Sequence, residues 1–177
     1  MTNQVPIDES TKVAALLDSY PELEDVLIGI APPFKKLRNP VLRRSVAKVA
    51  SLRQAAAVAR MSAVELVNRL RAEVGQPPIG EADSNASTAY LGTRPEWFDT
   101  ANVVESIEER LLPDDGPMPL VTLLKRANDL KGSEIIELRS NFLPAPGIDA
   151  MSKKGFLVWT KEAEPGKFRT YFRKPMH

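Results

Sequence analysis

Cysteine is absent from the 177 residues, and histidine occurs once, as His177 at the end of the chain. Without thiols the chain has no disulfide, no Cys-ligated zinc or iron–sulfur cluster and no thiol catalysis. One terminal imidazole cannot serve a Ser–His triad held by a packed scaffold. Glycine-rich loops of the Walker or dinucleotide type are also missing. The sequence therefore predicts a protein that is not an enzyme and has no cofactor or metal.

Long apolar runs are missing as well. No stretch approaches the roughly 18 apolar residues that would span a membrane. The opening MTNQVPIDES lacks the basic and apolar regions of a secretory signal. We therefore expect a cytoplasmic location and no membrane partner.

Charge of one sign is scarce in two parts of the chain. Residues 1–30 carry one lysine against six acidic residues, a net of −5. Residues 35–71 carry ten basic residues against Glu65 alone, a net of +9. A basic block of this size has two interpretations. It binds an acidic partner, or its charge is neutralised by the acidic N-terminal helices that pack beside it.

The first half has the periodicity of short helices. Pro21 and Pro40 stand where helices begin, and Ser51 and Ser62 are suited to cap two more. In VLRRSVAKVA the spacing predicts that four apolar residues point inward and the basic residues outward: Val41, Leu42, Val46 and Val49. Gly75 and the prolines after it end the last helix. Residues 1–75 are thus predicted to form a small all-α domain.

Residues 76–95 are rich in Pro, Gly, Ser and Asn without a period, which predicts a linker to a second domain at 96–177. There, SEIIELRS, FLVWTKE and KFRTYFR are typical of strands, and Glu164-Pro165-Gly166-Lys167 predicts a hairpin turn. Helices are predicted after GPMP and over 146–153, a short first strand at 97–99, and an extra helix through Val103, Val104, Ile107 and Leu111. The expected class is α+β, an all-α domain followed by a two-layer β-α-β-α-β-β sandwich.

Short motifs in both halves carry family resemblances. Residues 96–174 resemble the TusA or SirA-like sulfur-carrier fold, in particular its cysteine-less relatives, through Asp99, Pro117-x-Pro119-Leu120, Leu130-x-Gly132-x-Glu134, Phe142-x-Pro144-x-Pro146 and Gly155. Residues 6–75 resemble a small helical bacterial domain of unknown function that is related to redox-disulfide domains, through Lys12-Val13 and Tyr20-Pro21-Glu22-Leu23. These resemblances imply a link to sulfur or redox metabolism.

In a sulfur carrier the thiolate would sit where this chain has Gly116. The missing thiol excludes that chemistry, and the prolines leave few N–H donors for an anion. Two interpretations follow. Either the prolines only fix the backbone where the helix begins, or the site is a pocket that still binds a protein or small ligand although the sulfur chemistry has been lost. The candidate pocket residues are Gly116, Pro117, Met118, Pro119, Phe142, Pro144 and Pro146.

A second candidate is SLRQAAAVARMSAVELVNRL, residues 51–70, whose pattern is typical of a helix-turn-helix or of ordinary helix packing. The nucleic-acid contacts would come from the basic segment, and the candidates are Arg43, Arg44, Lys48, Asn68, Arg69 and Arg71. We therefore carry three hypotheses. The favoured one is a non-catalytic adaptor or regulatory protein with a protein partner or acidic ligand, the second a nucleic-acid-binding regulator, and the third an enzyme of unrecognised type.

Overall fold

A computed structural model describes residues 5–80, 86–109 and 119–176. The chain divides into two compact units, Met1–Thr88 and Ala89–His177, and each is considered by itself. The first is helical and the second contains the sheet, so the α+β class is confirmed. No helix in the described part of the chain is both long enough and apolar enough to cross a membrane.

Within residues 5–80, the helical unit contains five α-helices and one 3-10 helix. They are α1 (Val13–Ser19), α2 (Leu23–Ile30), the 3-10 helix Pro32–Arg38, α3 (Pro40–Val49), α4 (Leu52–Ala59) and α5 (Ala63–Glu73). Their core consists largely of leucines that are fully buried: Leu16, Leu17, Leu23, Leu27, Leu52, Leu66 and Leu70. Burial of these side chains, each worth about 1.5–3 kcal/mol, holds helices that are too short to be stable alone.

Helix ends follow the local sequence signals. The Ser51 side chain accepts a hydrogen bond from the Gln54 amide and the Gln54 side chain accepts one from the Ser51 amide, which completes a capping box at α4. Ser62 caps α5, and Gly75 follows that helix with a φ of +72°. These predicted boundaries are confirmed.

The orientation of α3 differs from the prediction. Val41 and Val49 are 48% and 57% exposed, and the buried side chain of this helix is Ala47. Arg43, predicted to face solvent, instead lies 2.6 Å from Glu24 of α2 and donates to the Leu17 carbonyl. Val46 packs against the core as predicted and Leu42 is half-buried, so the prediction is wrong for Val41 and Val49. The ion pair of Arg43 and the burial of Ala47 orient α3 so that these two valines face outward.

The second unit contains a four-stranded mixed sheet in the order β1-β2-β4-β3. The strands are β1 (Val103–Glu108), β2 (Ile135–Ser140), β3 (Leu157–Glu164) and β4 (Lys167–Arg173), with α6 (Pro119–Asn128) and α7 (Ala145–Lys153) between them. β1 and β2 are parallel, whereas β4 pairs antiparallel with β2 and β3. The β-α-β-α-β-β order is therefore confirmed.

The predicted first strand at 97–99 is wrong, and so is the helix predicted through Val103, Val104 and Ile107; Leu111, assigned to the same helix, lies outside the described residues. Residues 96 and 97 form a turn, residues 98 and 99 are in no strand, and Asp99 caps the 3-10 helix Thr100–Asn102. Val103, Val104 and Ile107 belong to β1, as β-branched residues favour. The four-residue spacing from Val103 to Ile107 misled the prediction, because it suits one face of a helix as well as alternate positions of a strand.

Both faces of the sheet are partly covered. α6 and α7 pack on one face, against Ile136, Leu138 and Phe172. On the other face, Phe98 lies 4.7 Å from Trp159 and 4.5 Å from Tyr171, measured between ring centroids. Tyr171 and Arg173 are therefore buried on this face, while Phe168, Thr170 and Phe172 are buried on the opposite face of β4.

Parts of the predicted linker are attached to the unit that they adjoin. The Gln76 side chain accepts from the Ile7 amide and donates to the Val5 carbonyl in the helical unit. Tyr90 donates to Asp149 in the sheet unit, where Leu91 forms a bridge with Thr160. Residues 81–85 of the linker lie outside the described residues.

Candidate functional site

The predicted pocket around the start of α6 is described only in part. Gly116, Pro117 and Met118 lie outside the described residues, and Pro119 is the first residue of α6. Phe142 is half-buried, Pro144 is buried immediately before α7, and Pro146 stands in the first turn of α7. β1 and β2 are parallel, so the segments that leave their carboxyl ends start from the same edge of the sheet.

A buried carboxylate, Glu137 of β2, is the centre of a polar cluster on the sheet. One of its oxygens, Oε2, accepts from Ser106 Oγ and from Arg139 Nε, both at 2.7 Å. The other, Oε1, accepts from Tyr171 Oη at 3.0 Å and lies 3.5 Å from Arg169 Nη1. The four donors come from β1, β2 and β4, so Glu137 joins three strands.

The environment of Glu137 favours its charged form. Burial alone raises the pKa of this carboxyl, but hydrogen bonds from Ser106, Arg139 and Tyr171 and the charge of Arg139 together hold its pKa below the usual value. Burial, followed by the hydrogen bond to Glu137, raises the pKa of Tyr171. Both groups thus keep their ordinary ionisation near neutral pH, which suits a structural network better than proton transfer.

The lowered pKa of Glu137 predicts a pH-dependent stability. The pKa in the folded state lies below the unfolded value of about 4.3, so the contribution is present above that pH and is lost as the pH falls through the folded pKa. We expect the stability difference between the wild type and Glu137→Gln to shrink on acidification. Urea unfolding of both proteins between neutral pH and about pH 3 measures it. A difference independent of pH would contradict an ionised Glu137.

A groove of about 470 Å³ adjoins this cluster at the end of the sheet. Its lining is mainly polar and charged: Glu108, Arg139, Asn141, Glu164, Lys167 and Arg169. Within residues 5–80, 86–109 and 119–176, no group of three His, Asp or Glu side chains is placed to hold a metal ion.

Acidic residues of the N-terminal helices neutralise part of the basic segment. Three arginines of that segment pair with residues 1–30: Arg38 with Asp25, Arg43 with Glu24 and Arg53 with Glu9. Arg69 pairs within α5, at 2.9 Å from Glu65. The sequence predicted that acidic residues near the N-terminus neutralise part of the positive charge of residues 35–71. These three ion pairs confirm it.

Two residues of the proposed recognition helix have structural partners. Asn68 donates to the Ile79 carbonyl and accepts from the Ile79 amide, at 3.0 and 2.8 Å. Arg71 donates to the carbonyls of Ile7 and Pro77, both at 2.6 Å. The side-chain groups that were expected to reach nucleic acid are therefore occupied by the protein's own backbone.

Arg44 and Lys48 remain without an ion-pair partner among residues 5–80. Both are exposed on α3, on the side of the helix that carries the exposed Val41 and Val49. We call these four residues the α3 surface. Val41 and Val49 are eight residues apart, so this surface is about 12 Å long.

Sequence reasoning missed Glu137 and the exposure of the α3 valines. An acidic residue within the apolar run of β2 is a detectable signal, because a charge on a buried strand requires partners. The exposure of Val41 and Val49 has no such signal, since it depends on the tertiary pairing of Arg43.

Comparison with known families gives one match. Residues 7–67 match the family described as Domain of unknown function (DUF1858). The DUF1858 match covers about a third of the chain and includes α1 to α4 and the α3 surface. No family match confirms the sulfur-carrier resemblance of residues 96–174. Comparisons with curated proteins and with solved structures give no match.

Proposed function

We propose that the protein is a non-catalytic adaptor or regulatory protein whose DUF1858 region binds an acidic partner protein through the α3 surface. The supporting observation is that this surface combines two basic side chains that have no ion-pair partner among the described residues with two exposed apolar side chains. Arg44 and Lys48 offer charge, while Val41 and Val49 offer apolar area. An amphipathic acidic helix of the partner fits both features.

The mixed composition favours a protein over nucleic acid. A phosphate backbone is gripped by many cations, whereas this surface carries two, separated by valines that phosphates cannot use. Asn68 and Arg71, which the nucleic-acid hypothesis needs, are held by backbone groups of the helical unit. The resemblance of residues 96–174 to sulfur carriers makes sulfur or redox metabolism the first place to search for the partner.

Affinity capture from the native cell tests this proposal in four forms of the full chain, after nuclease treatment. The forms are the wild type, Arg44→Glu with Lys48→Glu, Val41→Ser with Val49→Ser, and the control Lys35→Glu. Lys35 is an exposed cation outside the α3 surface. We expect the wild type and the control to retain the same acidic partner, and both double variants to bind it at least about tenfold more weakly.

Two outcomes would contradict the proposal. Partners that all four forms retain equally would show that the α3 surface is not used. Material that nuclease removes would support the nucleic-acid regulator instead. In that case duplex DNA should bind with nanomolar, sequence-dependent affinity, whereas we expect micromolar or weaker, sequence-indifferent binding at physiological salt.

A further inference from the structure

Three basic residues lie next to one another on the face of the sheet that carries Glu137 and Tyr171. Arg139 of β2 lies directly opposite Arg169 of β4, and Arg169 lies directly opposite Lys161 of β3. Directly opposed residues of an antiparallel pair have Cβ atoms about 5 Å apart, and like charges in such pairs are destabilising. We call Arg139, Arg169 and Lys161 the cation row.

The carboxylates near the row do not balance it. Glu137 contacts both arginines from the interior, and Glu108 lies 3.9 Å from Arg139. Lys161 has no ion-pair partner among the described residues; its ammonium group lies 5.5 Å from the Trp159 ring and 6.0 Å from the Tyr171 ring. Glu164 also interacts with Arg169 and pairs with Lys167, so the row and Lys167 together set four cations against three carboxylates, one of which is buried.

Glu137 also orients the two arginines. It engages Nε of Arg139 and Nη1 of Arg169. Glu108 lies near Nη1 of Arg139 and Tyr171 also bonds Arg169, so only part of each guanidinium group is left for other contacts. Each arginine side chain is 44% exposed. Two guanidinium groups held about one strand spacing apart can share the oxygens of one tetrahedral oxyanion.

A groove at the end of the sheet lies next to these charged residues and has space for a ligand. Arg139 and Arg169 line it, and the exposed Asn141 lies beside them. Lys167 also lines it, paired with Glu164 through side chains that are both more than 60% exposed. Such a pair is weak and can open to admit an anion. The volume of about 470 Å³ lies within the range of small-molecule sites.

The geometry points to a binding site for a small molecule that carries a phosphate group, with Arg139 and Arg169 as its main ligands and Lys167 beside them in the groove. Lys161, outside the groove lining, adds positive charge next to Arg169 in the row. The phosphate relieves the repulsion within the cation row and accepts hydrogen bonds from both guanidinium groups. This site is in the sheet unit and does not depend on the α3 surface, so either proposal can fail alone.

Titration of the full chain with inorganic phosphate and with pyrophosphate, followed by NMR of backbone and arginine side-chain signals, tests the site. We expect saturable shifts at Arg139, Asn141 and Arg169, with pyrophosphate binding more tightly. Loss of one charge-assisted contact should weaken binding about tenfold in Arg169→Gln, and the loss should be smaller in Arg169→Lys. Lys161→Gln should also weaken binding. Because Lys161 has no ion-pair partner among the described residues, this variant tests the contribution of the cation row to affinity without disturbing the contacts of Glu137.

Lys125→Gln is the matched control, because Lys125 is an exposed lysine of α6, outside the row and the groove. It should bind both probes as the wild type does. Equal binding by the wild type, Arg169→Gln and Lys161→Gln would overturn the proposal, as would the same shifts with sodium chloride at matched ionic strength. A single-stranded oligonucleotide that competes more strongly than pyrophosphate would replace the small-molecule assignment with a nucleic-acid one.

Discussion

Replacing Glu137 by alanine is expected to lower the free energy of unfolding of the sheet unit by about 2–4 kcal/mol, because several hydrogen bonds to a buried carboxylate are lost. The change leaves the buried hydroxyl of Tyr171 without its acceptor. It also removes the shared counter-charge of Arg139 and Arg169, which lie directly opposite each other. Both tryptophans belong to the sheet unit, so denaturant unfolding followed by tryptophan fluorescence measures this unit.

Glu105→Ala is the matched control for this prediction. Glu105 is a carboxylate on β1 whose pair with Arg126 is 3.6 Å long and has partly exposed side chains. Exposed pairs of this kind contribute about 0–1 kcal/mol. A Glu137 variant as stable as the Glu105 variant would mean that the buried carboxylate does not join the strands.

Local signals in the sequence account for most of the helices and for three strands. The serine caps, the prolines at helix starts and the Glu164-Pro165-Gly166-Lys167 turn act over a few residues, so they can be read without tertiary information. Ser51, Ser62 and Gly75 end or begin helices as predicted. The last five elements of the β-α-β-α-β-β order follow from the same signals, whereas the position of the first strand does not.

Features that depend on distant partners could not be predicted. The irregularity in β1 near Val104 is defined only by pairing with β2, which lies about 30 residues further along the chain. The rotation of α3 depends on the contact between Arg43 and Glu24, 19 residues apart. Glu137 accepts a hydrogen bond from Tyr171, which is 34 residues further along the chain. The cation row likewise requires the register of three strands, so composition alone could not indicate it.

The two candidate surfaces differ in what holds their charges in place. In the sheet unit, Glu137 fixes two arginines so that little side-chain entropy remains to be lost when an anion binds. On α3, Arg44 and Lys48 have no ion-pair partner among the described residues, so binding must order both side chains. The first arrangement suits a small ligand, and the second suits a larger partner that adds apolar contacts.

Replacing Asn68 by alanine is expected to destabilise the helical unit by about 2 kcal/mol, because the change removes two hydrogen bonds at a half-buried site. The carboxamide of Asn68 pairs with both the amide and the carbonyl of Ile79, so it holds the segment after α5 against that helix. Far-UV circular dichroism during denaturant unfolding measures the loss. Hydrogen exchange of the Ile79 amide, whose acceptor is Asn68 Oδ1, localises it.

Arg69→Ala is the control on the same helix. Its ion pair with Glu65 is exposed and spans one helical turn, so its removal should cost less than about 0.5 kcal/mol. A nucleic-acid-reading helix predicts the reverse pattern, in which both variants keep their stability and Asn68→Ala changes base preference. Loss of stability in Asn68→Ala alone would support a structural role for α5 and leave α3 as the exposed basic surface for a partner. Unchanged stability in both, with altered binding to DNA, would contradict the adaptor proposal.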